Sequence, residues 1–283
     1  MIREARPEDH GTFAKLVHEL GVDDPVPTPE RFAGEMIRTM LIAERDGHAV
    51  GFAFFRPMKE VVHLVHLVSA PEARREGIGR ALLTEVVRRG REAGCTALTL
   101  NVLSTNVAAI RLYESFGLTH THTNVGVKVA WALVDGLSEH DAPLVELARD
   151  IPSEEDRALE TAWELPEGLL ADQRKRPGRV LRMIATGSAT RAAVAVFDPA
   201  FPGTYPFRAP DLAHALSLLR AFRPHARPED EVVNMLIENQ RELAEALIRT
   251  GATKKLETAF MRGSIPRPVD RGPRTEDRGL RTI

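Results

Sequence analysis

The chain has 283 residues, a length that suits two domains, and its 43% hydrophobic and 28% charged residues are typical of a globular protein. A formal net charge of −2 gives no electrostatic case for binding nucleic acid. Cys95 is the only cysteine, so no intramolecular disulfide can form, and no apolar run approaches the roughly 18 residues of a membrane helix. We therefore expect a cytoplasmic protein without a membrane or nucleic-acid partner.

The first half of the chain predicts a series of short strands and helices. Ile2 to Ala5 is a strand candidate, and Thr28-Pro29 opens a helix with threonine as its cap and proline at the first helical position. Two apolar runs joined by the turn Asp46-Gly47 indicate a β-hairpin, and Glu60 to Ser69 indicates another strand. Together with the segments described next, the predicted order is β-α-α-β-β-β-α-β-α-β.

The most informative stretch follows that strand. The pattern R-x-x-G-x-G runs from Arg74 to Gly79, and apolar residues at helical spacing follow from Ala81 to Ala93. A glycine turn that opens a helix binds anions because the first N–H groups of the helix lack partners and the helix dipole favours negative charge. A dinucleotide fingerprint is excluded, because Leu82 stands where its third glycine would be.

A second block lies downstream. Leu98 to Val102 predicts a strand, and it is followed by Asn106, by Tyr113 and by Phe116-Gly117-Leu118. The two blocks together resemble the GCN5-related N-acetyltransferase (GNAT) family, in the family's order and separation, over roughly residues 1–133. The resemblance implies an α/β (α+β) fold in which a mixed, mostly antiparallel sheet is flanked by helices and splays where acetyl-CoA, the co-substrate, enters.

The resemblance also implies which residues hold acetyl-CoA. Its pyrophosphate would lie on the backbone of the turn formed by Arg74, Arg75, Glu76, Gly77, Ile78, Gly79 and Arg80. Glycine is usual at the position of Arg75, and a basic residue is frequent at that of Glu76, so these departures bear on affinity rather than on fold. A backbone N–H near Val68 or Ser69 would stabilise the oxyanion. Asn106 would position the cofactor, and it can also cap the helix that starts there.

Tyr113 stands at the family's general-acid position. A phenol, with a pKa near ~10, stays protonated at neutral pH and can donate to a departing thiolate. The alternative is a tyrosine packed in the core. This residue is one of only two tyrosines in the chain.

His63 is the predicted general base, with a structural strand histidine as the alternative and Glu60 as a further candidate. His66 lies an odd number of residues away, so we expect it on the opposite face of the strand. A pair of histidines without a neighbouring carboxylate or cysteine is a poor metal site, and we expect no metal. The second block also resembles ribosomal-protein N-terminal acetyltransferases, but the glutamate base of that subgroup is Asn101 here, which cannot accept the proton.

The second half is similar to a degenerate copy of the first. Arg208 to Asp211 can be aligned with Ser69 to Glu72, and Asn234 to Asn239 with Asn101 to Asn106. No glycine lies between Gly203 and Gly251, and alanine occupies the place of the acid, so the copy is predicted to lack both loop and acid. The expected limits are a catalytic domain at 1–133, a linker at 134–143, a GNAT-like domain at 144–263 and a disordered tail at 264–283.

The function implied is transfer of an acetyl group from acetyl-CoA to a primary amine of a small molecule or peptide. The alternative from another class is a non-catalytic acyl-CoA-binding or regulatory protein. The second domain is expected to shape the acceptor cleft or to mediate a homodimer. Binding of an acyl-CoA by the second domain itself, through another route, is a third reading.

Overall fold

The structure, a computed structural model, describes residues 1–21, 26–187 and 191–265. Twelve strands in these ranges form one sheet: β1 Ile2–Glu4, β2 Met40–Arg45, β3 His48–Met58, β4 Val61–Ser69, β5 Ala97–Leu103, β6 Thr119–Ala130, β7 Arg149–Asp150, β8 Val180–Ile184, β9 Ala193–Asp198, β10 Gly203–Arg208, β11 Val232–Glu238 and β12 Thr253–Ser264. The helices are α1 His10–Leu16, α2 Pro29–Arg31, α3 Ile78–Glu92, α4 Val107–Glu114, α5 Trp131–Asp135, α6 Asp156–Ala162, α7 Leu169–Arg174, α8 Leu212–Phe222 and α9 Arg241–Arg249. Within the described ranges, no helix is long and apolar enough to span a membrane.

The order of the strands shows how the two halves are joined. It runs β1-β2-β3-β4-β5-β12-β6-β11-β10-β9-β8-β7, so the two ends of the sheet are built alike. The last strand of each half crosses into the other: β12 lies between β5 and β6, and β6 lies between β12 and β11. Among the twelve described strands, only the pairs β4–β5 and β10–β11 are parallel. The mixed, mostly antiparallel sheet that was predicted is thereby confirmed.

The pairing of β6 with β12 has a two-fold centre. Asn124 faces Thr258, and the pattern of pairing on one side of these two residues is repeated on the other. Thr119 faces Arg262 at one end, and the equivalent pair at the other end is Thr253 with Lys128. A register shift lies at the equivalent place on each side of the centre. The predicted internal duplication is confirmed by this symmetry.

The register also corrects the alignment made from the sequence. Asn101 pairs with Phe260 of β12. The two-fold symmetry relates Phe260 to Gly126 of β6, and Gly126 pairs with Leu236. Leu236 therefore occupies the place of Asn101, and the predicted match of Asn234 to Asn101 was wrong by two residues. Positions two apart lie on the same face of a strand, so the alternating pattern of side chains does not distinguish the two registers.

The region between the halves is packed rather than extended. α5 begins directly after β6, and Val134 and Ala142 are both buried in the core of the second half. Ser264 is the last residue of β12, and Ile265 is buried, with its N–H donating to the carbonyl of Thr96 at 2.8 Å. The rest of the predicted tail lies outside the described residues. The domain limits taken from the sequence stay a prediction, but neither half completes its sheet without a strand of the other.

Different helices cover the two faces of the sheet in the first half. α3 and α4 pack on one face through Leu82 and Tyr113, among others. α1 and the π-helical turn Phe32–Met36, which continues α2, pack on the opposite face through Phe13 and Phe32. Both phenylalanines are fully buried, which stabilises the fold by roughly 1.5–3 kcal/mol for each side chain. The strands between these layers are thus covered on both faces.

The outer edges of the sheet are short. β1 and β7, with three and two residues, are the terminal strands. Short edge strands offer little backbone for pairing with another copy of the chain. The homodimer expected from the sequence stays a prediction.

Candidate functional site

The central feature of the first half is a gap between β4 and β5. The two strands pair in parallel only from Val61 with Ala97 to Leu64 with Leu100, and then they part. The space between them is a cavity of about 260 Å³, which we call the strand cavity. It is lined mainly by residues of both strands and of the segment that follows β5, namely Leu64, Val65, His66, Leu67, Leu100, Asn101, Val102, Leu103, Asn106, Ala109 and Tyr113.

The turn that precedes α3 leaves the start of this helix open. Gly77 is the N-cap residue, with φ +82°, and no side chain caps the helix. The N–H groups of the first turn, those of Ile78, Gly79 and Arg80, therefore have no partner within the helix. Gly79 has a different role: a Cβ there would lie 3.3 Å from Cδ2 of Leu112, so glycine permits the close packing of α3 on α4. The geometry suits a phosphate group on the backbone.

The charged side chains of the turn are largely engaged with neighbours. Glu76 forms an ion pair with Arg45, and Arg74 forms one with Glu19. The carboxylate that the sequence placed beside the anion is therefore balanced by Arg45. Both pairs are exposed, so each stabilises the fold by less than about 1 kcal/mol.

Two further arginines of the turn differ in their surroundings. Arg80 donates to Oγ of Ser115 at 3.0 Å, and its guanidinium lies 5.4 Å from the centre of the Phe116 ring. Arg75 has φ +66°, a conformation that glycine adopts without strain. This explains physically why glycine suits its position.

Tyr113 lies at the wall of the strand cavity and is only 6% exposed. Burial raises the pKa of its hydroxyl above the usual value, so it is protonated at neutral pH. The helix that carries it starts at Asn106, whose Oδ1 accepts a hydrogen bond from the N–H of Ala109 at 3.1 Å. Asn106 thus caps α4, and its side-chain nitrogen still has hydrogens to donate toward the cavity.

Comparison with known proteins identifies the family of this fold. Residues 10–118 match the model of the acetyltransferase (GNAT) family. An uncharacterised N-acetyltransferase of Schizosaccharomyces pombe is 30% identical over 129 residues, which are 41% of this chain and 79% of that protein. The chain belongs to the GNAT family. The prediction made from the two sequence blocks is confirmed.

Other members of the GNAT family match shorter parts of the chain. The ribosomal protein bS18-alanine N-acetyltransferase of Escherichia coli is 34% identical over 73 residues, which are 26% of this chain and 49% of that protein. The mycothiol acetyltransferase of Thermomonospora curvata is 34% identical over 87 residues, 30% of this chain and 29% of that protein. The chain therefore spans half or less of the length of these two GNAT relatives.

Two solved structures share the whole double GNAT fold. A GCN5-related N-acetyltransferase from Sphaerobacter thermophilus superposes with a TM-score of 0.64 and 19% identity, covering 95% of this chain and 96% of that one. A tandem GNAT protein from the clavulanic acid biosynthesis pathway superposes with a TM-score of 0.60 and 15% identity, covering 94% and 98%. At this identity the likeness concerns the fold alone, and it confirms a tandem GNAT arrangement.

A bulge in β4 sets the face of the sheet on which its two histidines lie. His63 faces Arg56 on β3, His66 faces Phe54, and Val65 is the extra residue between the two registers. Since Arg56 and Phe54 are two apart, both histidines lie on one face of the sheet. The prediction that they point to opposite faces was wrong, because a bulge adds a residue and breaks the alternation.

The surroundings of the two histidines differ. His66 lines the strand cavity, whereas His63 does not and is held by Oγ1 of Thr99, 3.0 Å from its Nδ1. Burial, followed by the positive charge of Arg56, lowers the pKa of His63 to about 4. Glu60 is exposed in the turn before β4 and does not line the cavity.

Val68 and Ser69, the predicted neighbours of the oxyanion, lie at the end of β4. Val68 is buried in the core on the α1 face, and neither residue lines the strand cavity. The backbone of this part of β4 has no partner on the side of β5, since that pairing ends at Leu64. An N–H directed to that side is available for a ligand, and the oxyanion role stays a prediction.

α8, the helix of the second half that follows β10, does not have the open start that α3 has. α8 starts at Asp211, whose carboxylate accepts from the N–H of His214 at 2.9 Å. A negative side chain therefore holds the place that a phosphate would need. Arg208 and Glu238, both buried, form an ion pair of 2.6 Å between the ends of β10 and β11. The degenerate character predicted for this half is confirmed.

Sequence reasoning missed a second cavity. It has a volume of about 360 Å³, lies where the halves meet, and shares Leu236 and Leu256 with the strand cavity. Four arginines line it, so we call it the arginine cavity: Arg31, Arg56, Arg176 and Arg179. They come from both halves of the chain, and no local motif marks them. In the residues that the structure describes, no group of three His, Cys, Asp or Glu is placed to hold a metal ion.

Proposed function

We propose that this protein is an N-acetyltransferase that transfers the acetyl group of acetyl-CoA to a primary amine. The observation that carries the proposal is the position of Tyr113, a buried and protonated phenol in a cavity between splayed strands. Membership of the GNAT family supports acetyl transfer in general, and the amine is our inference. Acetyl-CoA, when bound, supplies a thioester whose carbonyl carbon is open to attack.

The residues around the turn would hold this co-substrate. The N–H groups of Ile78, Gly79 and Arg80 would donate to the pyrophosphate, with Gly77 allowing close approach and Arg74, Arg75 and Arg80 adding positive charge. Asn106 would donate its amide hydrogens to the pantetheine chain. A backbone N–H at Val68 or Ser69 would stabilise the charge on the carbonyl oxygen.

The step balances with two proton transfers. The nitrogen of the amine forms a bond to the acetyl carbon, and the bond from that carbon to sulfur breaks. Tyr113 donates its proton to the departing thiolate, and the amine loses one proton to a base. With its pKa raised by burial, Tyr113 regains this proton readily from water.

The base is proposed to be a histidine on β4. His66 lines the cavity and is our first choice, although the sequence had favoured His63. A pKa of about 4 makes His63 a weak base at neutral pH, and Thr99 holds its Nδ1. Comparing His66→Gln with His63→Gln separates the two, and His48→Gln, at an exposed strand start, is the matched control.

The experiment that tests the function measures thiol release from acetyl-CoA with a panel of amines, in the wild type and in Tyr113→Phe. Release that depends on one class of acceptor and is lost in the variant, while acetyl-CoA still binds, supports the proposal. Binding of acetyl-CoA without release for any amine would instead support a non-catalytic acyl-CoA-binding protein. A binding stoichiometry of two would show that the second half holds an acyl-CoA as well.

A further inference from the structure

We propose that the arginine cavity binds an anionic group of the acceptor, so that the substrate is a small primary amine that also carries a carboxylate or a phosphate. This inference rests on the proposed acetyl transfer and names its class of substrate. It also assigns a task to the second half of the chain, which lacks a cofactor loop of its own.

Positive charge dominates the lining of the arginine cavity. Besides Arg31, Arg56, Arg176 and Arg179, it includes Lys255, while Asp198 is the one carboxylate among the described residues that line it. Asp198 forms an ion pair with Arg179 and lies 3.6 Å from a guanidinium nitrogen of Arg31. Arg31 also lies 3.6 Å from a carboxylate oxygen of Glu35, so Arg31 and Arg179 both have carboxylate partners.

Arg56 and Arg176 are left without such a partner. Across residues 1–21, 26–187 and 191–265, neither arginine has a carboxylate within the distance of an ion pair. The guanidinium of Arg56 instead lies 5.3 Å from the centre of the Phe54 ring. An arginine fork with free N–H groups binds the two oxygens of a carboxylate or phosphate in bidentate fashion.

The environment of Arg56 disfavours its positive charge. Burial lowers the pKa of Arg56 to about 10. The positive charges of Arg176 and Arg31 lower this pKa further, and the negative charge of Glu35 opposes them. A buried cation without a counterion destabilises a fold, and an anion of opposite charge removes that penalty. A bound carboxylate or phosphate would supply this counterion.

Polar atoms in the same wall also lack partners. Oγ1 of Thr204, Oδ1 of Asn234 and Nε of Arg179 are buried and make no hydrogen bond to any residue that the structure describes. Buried polar groups in folded proteins are nearly always paired. The hydroxyl and the guanidinium can both donate to an anion.

The geometry connects this binding site to the proposed chemistry. Leu236 of β11 and Leu256 of β12 belong to the walls of both cavities, so the space beside Tyr113 adjoins the arginine cavity. An acceptor whose anionic end lies among the arginines can thus direct its amine toward the acetyl group. Strand exchange between the halves brings these two leucines to the junction.

The test compares acceptors that differ only in the anionic group. Thiol release is measured with L-alanine against L-alaninol, L-methionine against L-methioninol, and O-phosphoethanolamine against ethanolamine. We expect kcat/KM to be at least about tenfold higher for the anionic member of at least one pair, since charge-assisted bonds to arginine are strong. Preference for the carboxylate or for the phosphate pair identifies the group.

Variants locate the effect. Arg56→Gln and Arg176→Gln should each raise KM for the anionic acceptor about tenfold or more, with KM for acetyl-CoA unchanged. Arg249→Gln, at an exposed position on α9, is the matched control. If Arg56→Gln disturbs folding, Arg176→Gln still tests the anion site. Equal kcat/KM for charged and neutral members of every pair, or unchanged KM in both variants, would overturn the proposal.

Equilibrium binding separates this inference from the proposed function. Calorimetric titration with the same three anionic compounds, and with inorganic phosphate, does not need turnover. Binding that is lost in Arg56→Gln, in a protein without transferase activity, would keep the anion site and reject the function. Turnover of neutral amines alone would keep the function and reject the anion site.

Discussion

Asn124 on β6 faces Thr258 on β12 at the two-fold centre of the twelve-stranded sheet. The side chain of Asn124 is fully buried and joins the halves: its Nδ2 donates to Oδ1 of Asn101 at 2.7 Å, and its Oδ1 accepts from the N–H of Asn239 at 3.2 Å. One side-chain amide therefore makes hydrogen bonds both to a strand of the first half and to a residue that precedes a helix of the second half. The two halves are coupled where their exchanged strands meet.

The first prediction concerns this amide. Asn124→Leu keeps the branched shape and the number of heavy atoms but leaves the N–H of Asn239 and the side chain of Asn101 with fewer partners, and we expect the free energy of unfolding to fall by about 2 kcal/mol. Chemical denaturation followed by circular dichroism measures it. Thr121→Ala, at an exposed position on the same strand, is the control, and equal loss in both variants would contradict the role of Asn124.

The exchange of strands predicts that the halves do not fold apart. A fragment of residues 1–133 lacks β12, which pairs with both β5 and β6. Its sheet would expose long unpaired edges, so we expect aggregation or no cooperative melting transition. Co-expression with residues 134–283 should restore a soluble complex. A monomeric fragment of 1–133 that melts at the temperature of the full chain would contradict the prediction.

Tyr113→Phe should lower kcat by roughly 10²-fold or more while acetyl-CoA binding is kept, because a general acid contributes about that factor. Burial raises the pKa of this phenol, so the acid stays protonated up to at least its ordinary value near ~10. The pH profile of kcat should therefore show no alkaline loss from this group below about pH 10. A decline near pH 8 that disappears in the variant would contradict this assignment.

His63 should make stability depend on pH. Its pKa is lowered from 6.5 to about 4, so between these values the unfolded chain binds a proton that the folded chain does not. The free energy of unfolding should therefore fall as the pH drops through this window, by on the order of 3 kcal/mol. Urea denaturation at pH 7, 5.5 and 4.5 should show that the free energy of unfolding falls more steeply with pH in the wild type than in His63→Gln. Equal slopes in the two proteins would contradict the lowered pKa of His63.

Arg75→Gly should stabilise the fold. The φ of Arg75 is +66°, a conformation that costs a residue with a Cβ roughly 1 kcal/mol relative to glycine. Part of this gain is offset by the greater freedom of glycine in the unfolded chain, so we expect an increase of a few tenths to about 1 kcal/mol. Arg74→Gly, at a neighbouring position with φ −67°, should destabilise instead. Thermal melting of both variants measures the difference in sign.

Much of the first half of the chain could be predicted from local patterns. The turn Asp46-Gly47 does join β2 and β3, and both of its residues have positive φ. The strand before the glycine turn begins at Val61, one residue from its predicted start. These features depend on residues close together in the chain, so propensity and periodicity are sufficient to locate them. The same holds for Tyr113, whose position follows from its spacing within one helix.

Three features were decided only by the tertiary structure. The bulge at Val65 places His66 on the same face of the sheet as His63, although strand alternation alone predicted opposite faces. The insertion of β12 between β5 and β6 depends on pairing between residues far apart in sequence. The arginine cavity gathers Arg31 and Arg56 from one half with Arg176 from the other. The sequence by itself determined the family, the glycine turn and the loss of that turn in the second half, because each is written in neighbouring residues. Which strands pair and which charges meet was determined by packing across the whole chain, because backbone pairing and Coulomb interactions act between residues that are close in space.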